Sequence, residues 1–160
     1  MLRCLGIDPG LQKTGWAVIE HKTGALTHIC SGVVITSASL MMPERLLFIQ
    51  NSLNQIIKDF APATAAIEDT YVNVNAKSSL KLAHARAAAM LTLAAAGLSP
   101  TEYAARAIKK SIVGSGNAEK EQVKNMMHYL IPNITPASIH ADEMDAIAIA
   151  ICHLHHVSNY

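Results

Sequence analysis

No stretch of the 160 residues is long and apolar enough to span a membrane. The longest nearly apolar run, Ala87 to Leu98, is mostly alanine and well short of the roughly 20 residues a span needs, so it reads as part of a buried helix. No signal peptide is expected either: Met1-Leu2-Arg3-Cys4 reads as entering an apolar strand directly, without charged, apolar and cleavage regions, and a cytoplasmic location is expected. Cysteines are few. Cys4, Cys30 and Cys152 are odd in number and widely spaced, which indicates neither a disulfide framework nor a four-cysteine metal site, and they read as reduced, partly buried thiols. No linker or low-complexity tract divides the chain, so residues 1–160 are expected to form a single domain. Charge is sparse, at 16% against 51% apolar residues, which fits a compact chain and not a disordered one.

The net charge of +1 is small for a protein that holds nucleic acid, but its distribution is uneven. Residues 71 to 125 carry eight basic side chains against three acids, and the remainder carries five against nine. One region thus suits a polyanion while another collects carboxylates. Solvated helix faces would give a milder version of the same pattern.

The apolar run before Asp8 reads as a strand in a sheet interior, stopped by Pro9-Gly10. Segments 14–19 and 27–36 read as second and third strands, joined through Lys22-Thr23-Gly24 and so antiparallel. Gly15 and Gly32 inside them signal bulges or close backbone approach. Pro43-Glu44 opens a helix whose stripe is Leu46, Ile49, Leu53, Ile56 and Phe60. A short strand, 64–67, ends on Glu68-Asp69. A helix over 76–96 follows, with Leu80, Ala83, Ala87, Met90 and Ala94 on one face. Residues 101–104 form a fifth strand, 105–113 a helix, and Asn117 is expected to cap a helix running to Leu130. A last helix covers about 138–155. The order predicts an α/β fold: a mixed five-stranded sheet with helices on both faces.

Asp8 alone is a weak signal, since Asp-Pro-Gly is an ordinary turn. If the strands ending at Asp8 and Glu68 are parallel neighbours, however, both carboxylates reach one edge about 4.8 Å apart in backbone, where open α/β sheets place ligands. Asp142 and Asp145 share a helix face at spacing i, i+3. For that helix alone, complementing its dipole is explanation enough. Together, four acids would raise one another's pKa unless a cation sits among them, and hard oxygen donors favour magnesium or manganese over zinc.

Six segments carry a resemblance: Leu5-Gly6-Ile7-Asp8-Pro9-Gly10 with Thr14-Gly15, Ala66-Ile67-Glu68, Ser79-Leu80-Lys81-Leu82, Glu102-Tyr103-Ala104-Ala105-Arg106, Gly114-Ser115-Gly116-Asn117-Ala118-Glu119-Lys120, and Ala141-Asp142-Glu143-Met144-Asp145-Ala146. In this order, over about residues 5 to 150, they resemble the bacterial RuvC family of Holliday junction resolvases. The resemblance implies a ribonuclease H-like fold and a homodimer. It implies an endonuclease that resolves four-way DNA junctions in recombination and repair, by paired symmetric cuts leaving 5′-phosphate and 3′-hydroxyl ends. It also implies two Mg2+ ions per site, with Mn2+ able to substitute, and RuvA with RuvB as the helicase partner complex. Asp8, Glu68, Asp142 and Asp145 would be metal ligands and catalytic. Lys120 would act beside them, and Lys109 would lie near the cleaved phosphate. Tyr71 would stack on an unpaired base, a buried core tyrosine being the alternative. Lys77 and Lys81 are further expected DNA contacts from the basic segment.

The sequence departs from the family at Ala83, His84 and Ala87, where Gly, Gln and Gly are more usual, and this falls on the expected dimer helix. The chain also ends at Tyr160 where many relatives continue with a basic tail. Cys152, His153, His155 and His156 have zinc-ligand chemistry, but only some can share a helical face, and histidines in a last turn also suit the dipole. Two rivals stand beside this reading. An actin-like ATPase or sugar kinase uses a similar Asp turn but needs a second lobe, and a silent junction-binding module would not need all four acids.

Overall fold

The computed structural model describes residues 1–69, 76–134 and 139–158. Three long strands come first: β1 (Leu2–Asp8), β2 (Lys13–Lys22) and β3 (Ala25–Ile35). The β2–β3 turn holds Thr23 and Gly24 at positive φ, the twist a tight hairpin demands. There follow α1 (Met42–Phe60), β4 (Thr64–Asp69), α2 (Ala76–Ala95), β5 (Thr101–Ala104), α3 (Ala105–Val113), α4 (Lys120–Leu130) and α5 (Ala141–Val157). The sheet order is β3-β2-β1-β4-β5. β1 is antiparallel to β2 and parallel to β4, and β4 is parallel to β5, so the sheet is mixed. The helical connection after β3 therefore crosses over to pair β4 with β1.

Strand alternation sends side chains to two cores. Cys4, Ala17, Ile19 and Ala66 face one side, with α3, α4 and the apolar body of α5; Leu5, Ile7, Val18, Ala65 and Ile67 face the other, with α1 and α2. Helices thus cover both faces, as expected. The central strand packs unusually close to α5: a Cβ placed on Gly6 would stand 2.3 Å from the Ala146 carbonyl oxygen and 2.8 Å from the Ala150 nitrogen. The absent side chain at residue 6 sets the depth at which α5 lies.

Two expectations need correction, and a third is narrowed to one of its alternatives. The run from Ala87 to Leu98 is buried on one side only: Ala85, Ala89, Thr92 and Leu93 of α2 are buried, while the stripe of Leu80, Ala83, Ala87 and Ala94 is exposed and Met90 is half-buried. Alanine-rich periodicity is too weakly polar on either side to say which stripe turns inward. Glu119, not Asn117, is the N-cap of α4, its N–H bonded by the Gln122 side chain at 2.8 Å, while Asn117 instead accepts from Arg106 at 3.3 Å. The β2–β3 irregularity lies between Val18 and Ile19, not at a glycine. Gly15 and Gly32 mark close approach, to Asp142 and to Trp16 respectively.

Gly6→Ala is expected to lower stability by about 3 kcal/mol, as an overpacked contact that only backbone movement relieves. Urea unfolding measures it, and a loss below about 0.5 kcal/mol would show that α5 has room to move.

Candidate active site

Ile7 and Ile67 are opposite each other in the parallel β1–β4 ladder. The next residue of each strand, Asp8 and Glu68, therefore emerges at one edge on the face that α5 covers. The turn behind Asp8 is fixed by Thr14, which is fully buried. Its hydroxyl donates to the Gly10 carbonyl at 2.7 Å and accepts from the Gly10 N–H at 3.3 Å. Gly10 is required there, since a Cβ would meet the Lys13 carbonyl at 2.2 Å. Gly15, opposite Asp8 in β2, does the equivalent for α5: a Cβ would lie 2.0 Å from the Asp142 carbonyl oxygen. The first turn of α5 therefore comes down onto the strand ends, bringing Asp142 and Asp145 with it.

The four carboxylates sense one another. Burial, then the charges of Glu68, Asp145 and Asp142, push the Asp8 carboxyl up to about 7, against a smaller opposing pull from Lys120. Glu68 is raised too, chiefly by burial and by Asp145, and it shares a hydrogen bond with Asp8. A proton held between like charges does the neutralising work that a cation could do. Lys120 in the first turn of α4 donates to Asp145 Oδ2 at 3.1 Å, which raises the pKa of the ammonium. Among the described residues no three His, Cys, Asp or Glu side chains are yet drawn tightly enough around one point to hold an ion. Four hard oxygen donors on one edge, with Asp8 and Glu68 raised above the usual carboxylate range, fit a divalent cation of the magnesium class.

Beside these acids a cavity of about 410 Å3 opens between α3, α4 and α5. Glu68, Asp145, Lys109, Lys120 and Lys124 stand on its walls above Ile108, Met127 and Met144. The basic middle segment and the acidic site thus meet in space. Lys77 and Lys81 are exposed on the first turns of α2. Tyr71 lies outside the described residues.

Arg86 was legible in the sequence only as one of the basic residues. Its Nε donates to the Glu68 carbonyl at 3.4 Å, and its Nη2 pairs with Glu102 and, at 3.7 Å, with Asp69, so it anchors the acidic end of β4. The adjacent acids at a strand end were the available signal that a cation must lie nearby. The histidines of α5 have other partners. His153 bonds Thr64 at 2.7 Å and Tyr103 at 3.0 Å through its two ring nitrogens, His155 meets Ser111, and His156 bonds the Cys152 carbonyl at 2.7 Å. With both its nitrogens engaged, His153 is a packing residue and not a zinc ligand.

A family model described as crossover junction endodeoxyribonuclease RuvC matches residues 4–153. The chain belongs to the RuvC family. It is 48% identical over 156 residues to the RuvC crossover junction endodeoxyribonuclease of Gluconobacter oxydans (strain 621H), covering 98% of this chain and 92% of that one. Against the RuvC of Maricaulis maris (strain MCS10) it is 50% identical over 155 residues, covering 97% and 92%. Its fold superposes on T. thermophilus RuvC, solved in complex with a Holliday junction substrate, with a TM-score of 0.92 at 25% identity, covering 98% of this chain and 95% of that one. RuvC structures have the ribonuclease H-like fold, and the five-stranded mixed sheet here is the same one. RuvC proteins are metal-dependent nucleases, in keeping with the acid cluster.

The acid cluster has a measurable stability cost without metal. Folded, Asp8 keeps its proton to about pH 7; unfolded, only to about its ordinary 3.8. The folded state binds more protons between those values, so stability falls as pH rises through them. Asp8→Asn is expected to raise metal-free stability at pH 8 by roughly 1–3 kcal/mol and to flatten the decline. Urea unfolding in chelator at pH 5 and pH 8 measures both, and an unchanged decline in the variant would remove Asp8 as its source.

Proposed function

We propose that Asp8, Glu68, Asp142 and Asp145 are the metal ligands and catalytic acids of this crossover junction endodeoxyribonuclease. The reading rests on one observation: adjacent parallel strands and one helix start deliver four carboxylates to a single edge, with Lys120 among them. The enzyme is an endonuclease that resolves four-way DNA junctions in recombination and repair. We assign it Mg2+, two ions per site, with Mn2+ as a substitute. Bound there, the ions supply Lewis acidity to displacement at the scissile phosphorus, with a 5′-phosphate and a 3′-hydroxyl as products.

The chain's own residues bind and orient. Lys120, beside Asp145, would offer its ammonium to a phosphate oxygen. Lys109 and Lys124 stand on the same cavity wall and hold the backbone on one side of the cut. Lys77 and Lys81, exposed on α2, extend the basic track, and Tyr71 is assigned to stacking on an unpaired junction base.

Paired cuts need two sites related by the junction's own approximate two-fold axis, which an isologous homodimer provides. The α1–α2 layer leaves Leu47, Phe48, Leu80 and Leu91 between 47% and 68% exposed, and it is the assigned interface. Ala83 and Ala87 lie exposed in it, so their methyls and His84 would bear on the partner. Residues 1–160 act as a single nuclease domain in the cytoplasm, alongside RuvA and RuvB. No described helix is long and apolar enough to cross a membrane.

Labelled four-way and linear duplex DNA, each incubated with Mg2+ and with chelator, test the activity: symmetric cuts confined to the four-way substrate and to Mg2+ are expected. Asp8→Asn should abolish cleavage and spare junction binding, and full cleavage by that variant would end its metal role. Lys77→Ala and Lys81→Ala should each weaken binding and reduce the salt slope by about 1; an unchanged slope takes that lysine out of the footprint.

A further inference from the structure

Glu143 lies between Asp142 and Asp145 in sequence, but its side chain turns to the sheet. Ser31 Oγ on β3 donates to Glu143 Oε2 at 2.7 Å, and His28 Nε2 lies 3.0 Å from the same Ser31 oxygen. With the serine proton committed to the carboxylate, the imidazole nitrogen is the donor in the second bond. The other Glu143 oxygen, Oε1, accepts the His140 N–H that opens α5, at 3.4 Å. The backbone of His28 is held in turn: its N–H donates to Asn133 Oδ1 at 3.2 Å, and Asn133 Nδ2 donates to its carbonyl at 2.9 Å.

This arrangement depends on the irregularity in β3. In a regular strand residues 28 and 31 would point to opposite faces. Here Val18 pairs with Cys30 and Ile19 with His28, leaving Ile29 as an extra residue. That one-residue bulge shifts the alternation, and His28 and Ser31 come to the same face, under the start of α5. Bulges re-aim side chains in this way, and this one is aimed at the helix that carries two of the four acids.

We propose that Glu143 is a positioning residue, held by Ser31 and His28 at the β3 bulge, that fixes the rotation of the first turn of α5 and so the stance of the Asp142 and Asp145 carboxylates. The inference rests on the assignment of those two acids to the metal. Asp142 has Glu143 as its neighbour on the chain, and Asp145 projects from the same turn, so a rotation of that turn moves both. Repulsion within the acid cluster pushes this turn away from the strand ends, and the Ser31–Glu143 bond opposes it.

Mn2+ binding to the metal-free protein, by calorimetry, and amide exchange of Met144 and Asp145 without metal are the readouts. Ser31→Ala, which changes no charge, is expected to weaken Mn2+ binding three- to tenfold and to speed both amides. Glu143→Ala should weaken it at least as much. Glu143→Gln, whose carbonyl still accepts from Ser31, should restore most of the affinity. Ile49→Val, buried on the opposite side of the sheet, should lower the unfolding midpoint and leave Mn2+ affinity unchanged. Wild-type Mn2+ affinity in Ser31→Ala together with weakened binding in Asp142→Asn overturns the positioning role alone. Equal loss in Glu143→Gln and Glu143→Ala also overturns it, in favour of simple charge. Wild-type affinity in both Ser31→Ala and Asp142→Asn overturns the metal assignment, and the positioning role with it.

Discussion

The parallel pairing of β1 with β4 is the constraint on which the rest of the site depends. It puts Asp8 and Glu68 on one edge and one face. Everything nearby answers the electrostatic cost of that choice. Asp8 holds a proton far above the usual carboxylate range, Lys120 pairs Asp145, Arg86 braces the end of β4, and Glu143 is tied back to β3. A packed core would not select such a cluster for stability; a site that binds a cation would.

Helix α5 meets two demands at once. From Met144 to Leu154 it is almost wholly buried and forms the centre of one core, while its first turn brings acids to the strand ends. The two glycines facing it reconcile these roles. Gly6 lets the body of the helix lie against β1, and Gly15 lets the Asp142 backbone reach β2. The precision of the site is therefore borrowed from the stiffest packing in the molecule, where a single added methyl would displace the helix. At its far end the same helix uses His153, between Thr64 and Tyr103, to satisfy buried polar groups across two strands.

Much of this was legible in the chain because its signals are local. The hairpin turn at Thr23-Gly24, the proline at the start of α1, the five strands and the acid-terminated apolar runs follow from conformational preference and periodicity. The family was legible because several short segments occur in the right order, although each alone is an ordinary turn or cap. What failed also has a physical reason. The outward stripe of α2 could not be told from the inward one, since alanine is indifferent to burial on that scale. The cap of α4 is Glu119 and not Asn117, because the helix begins at Lys120, three residues beyond Asn117. Arg86, Ser31 and Glu143 were invisible as a set, being contacts between residues 16 to 112 positions apart.

By itself the sequence determined the elements, the α/β class and the family, and it singled out four acids as the candidate site, since each is written in residue types and short spacings. Only the tertiary structure decided which strand β4 joins, which face of α2 is free, how close α5 lies to the sheet, and that a bulge at Ile29 aligns His28 and Ser31 beneath Glu143. Those depend on pairing register and on the distance between packed backbones. Both arise from the simultaneous fit of remote segments, which no local stretch of the chain encodes.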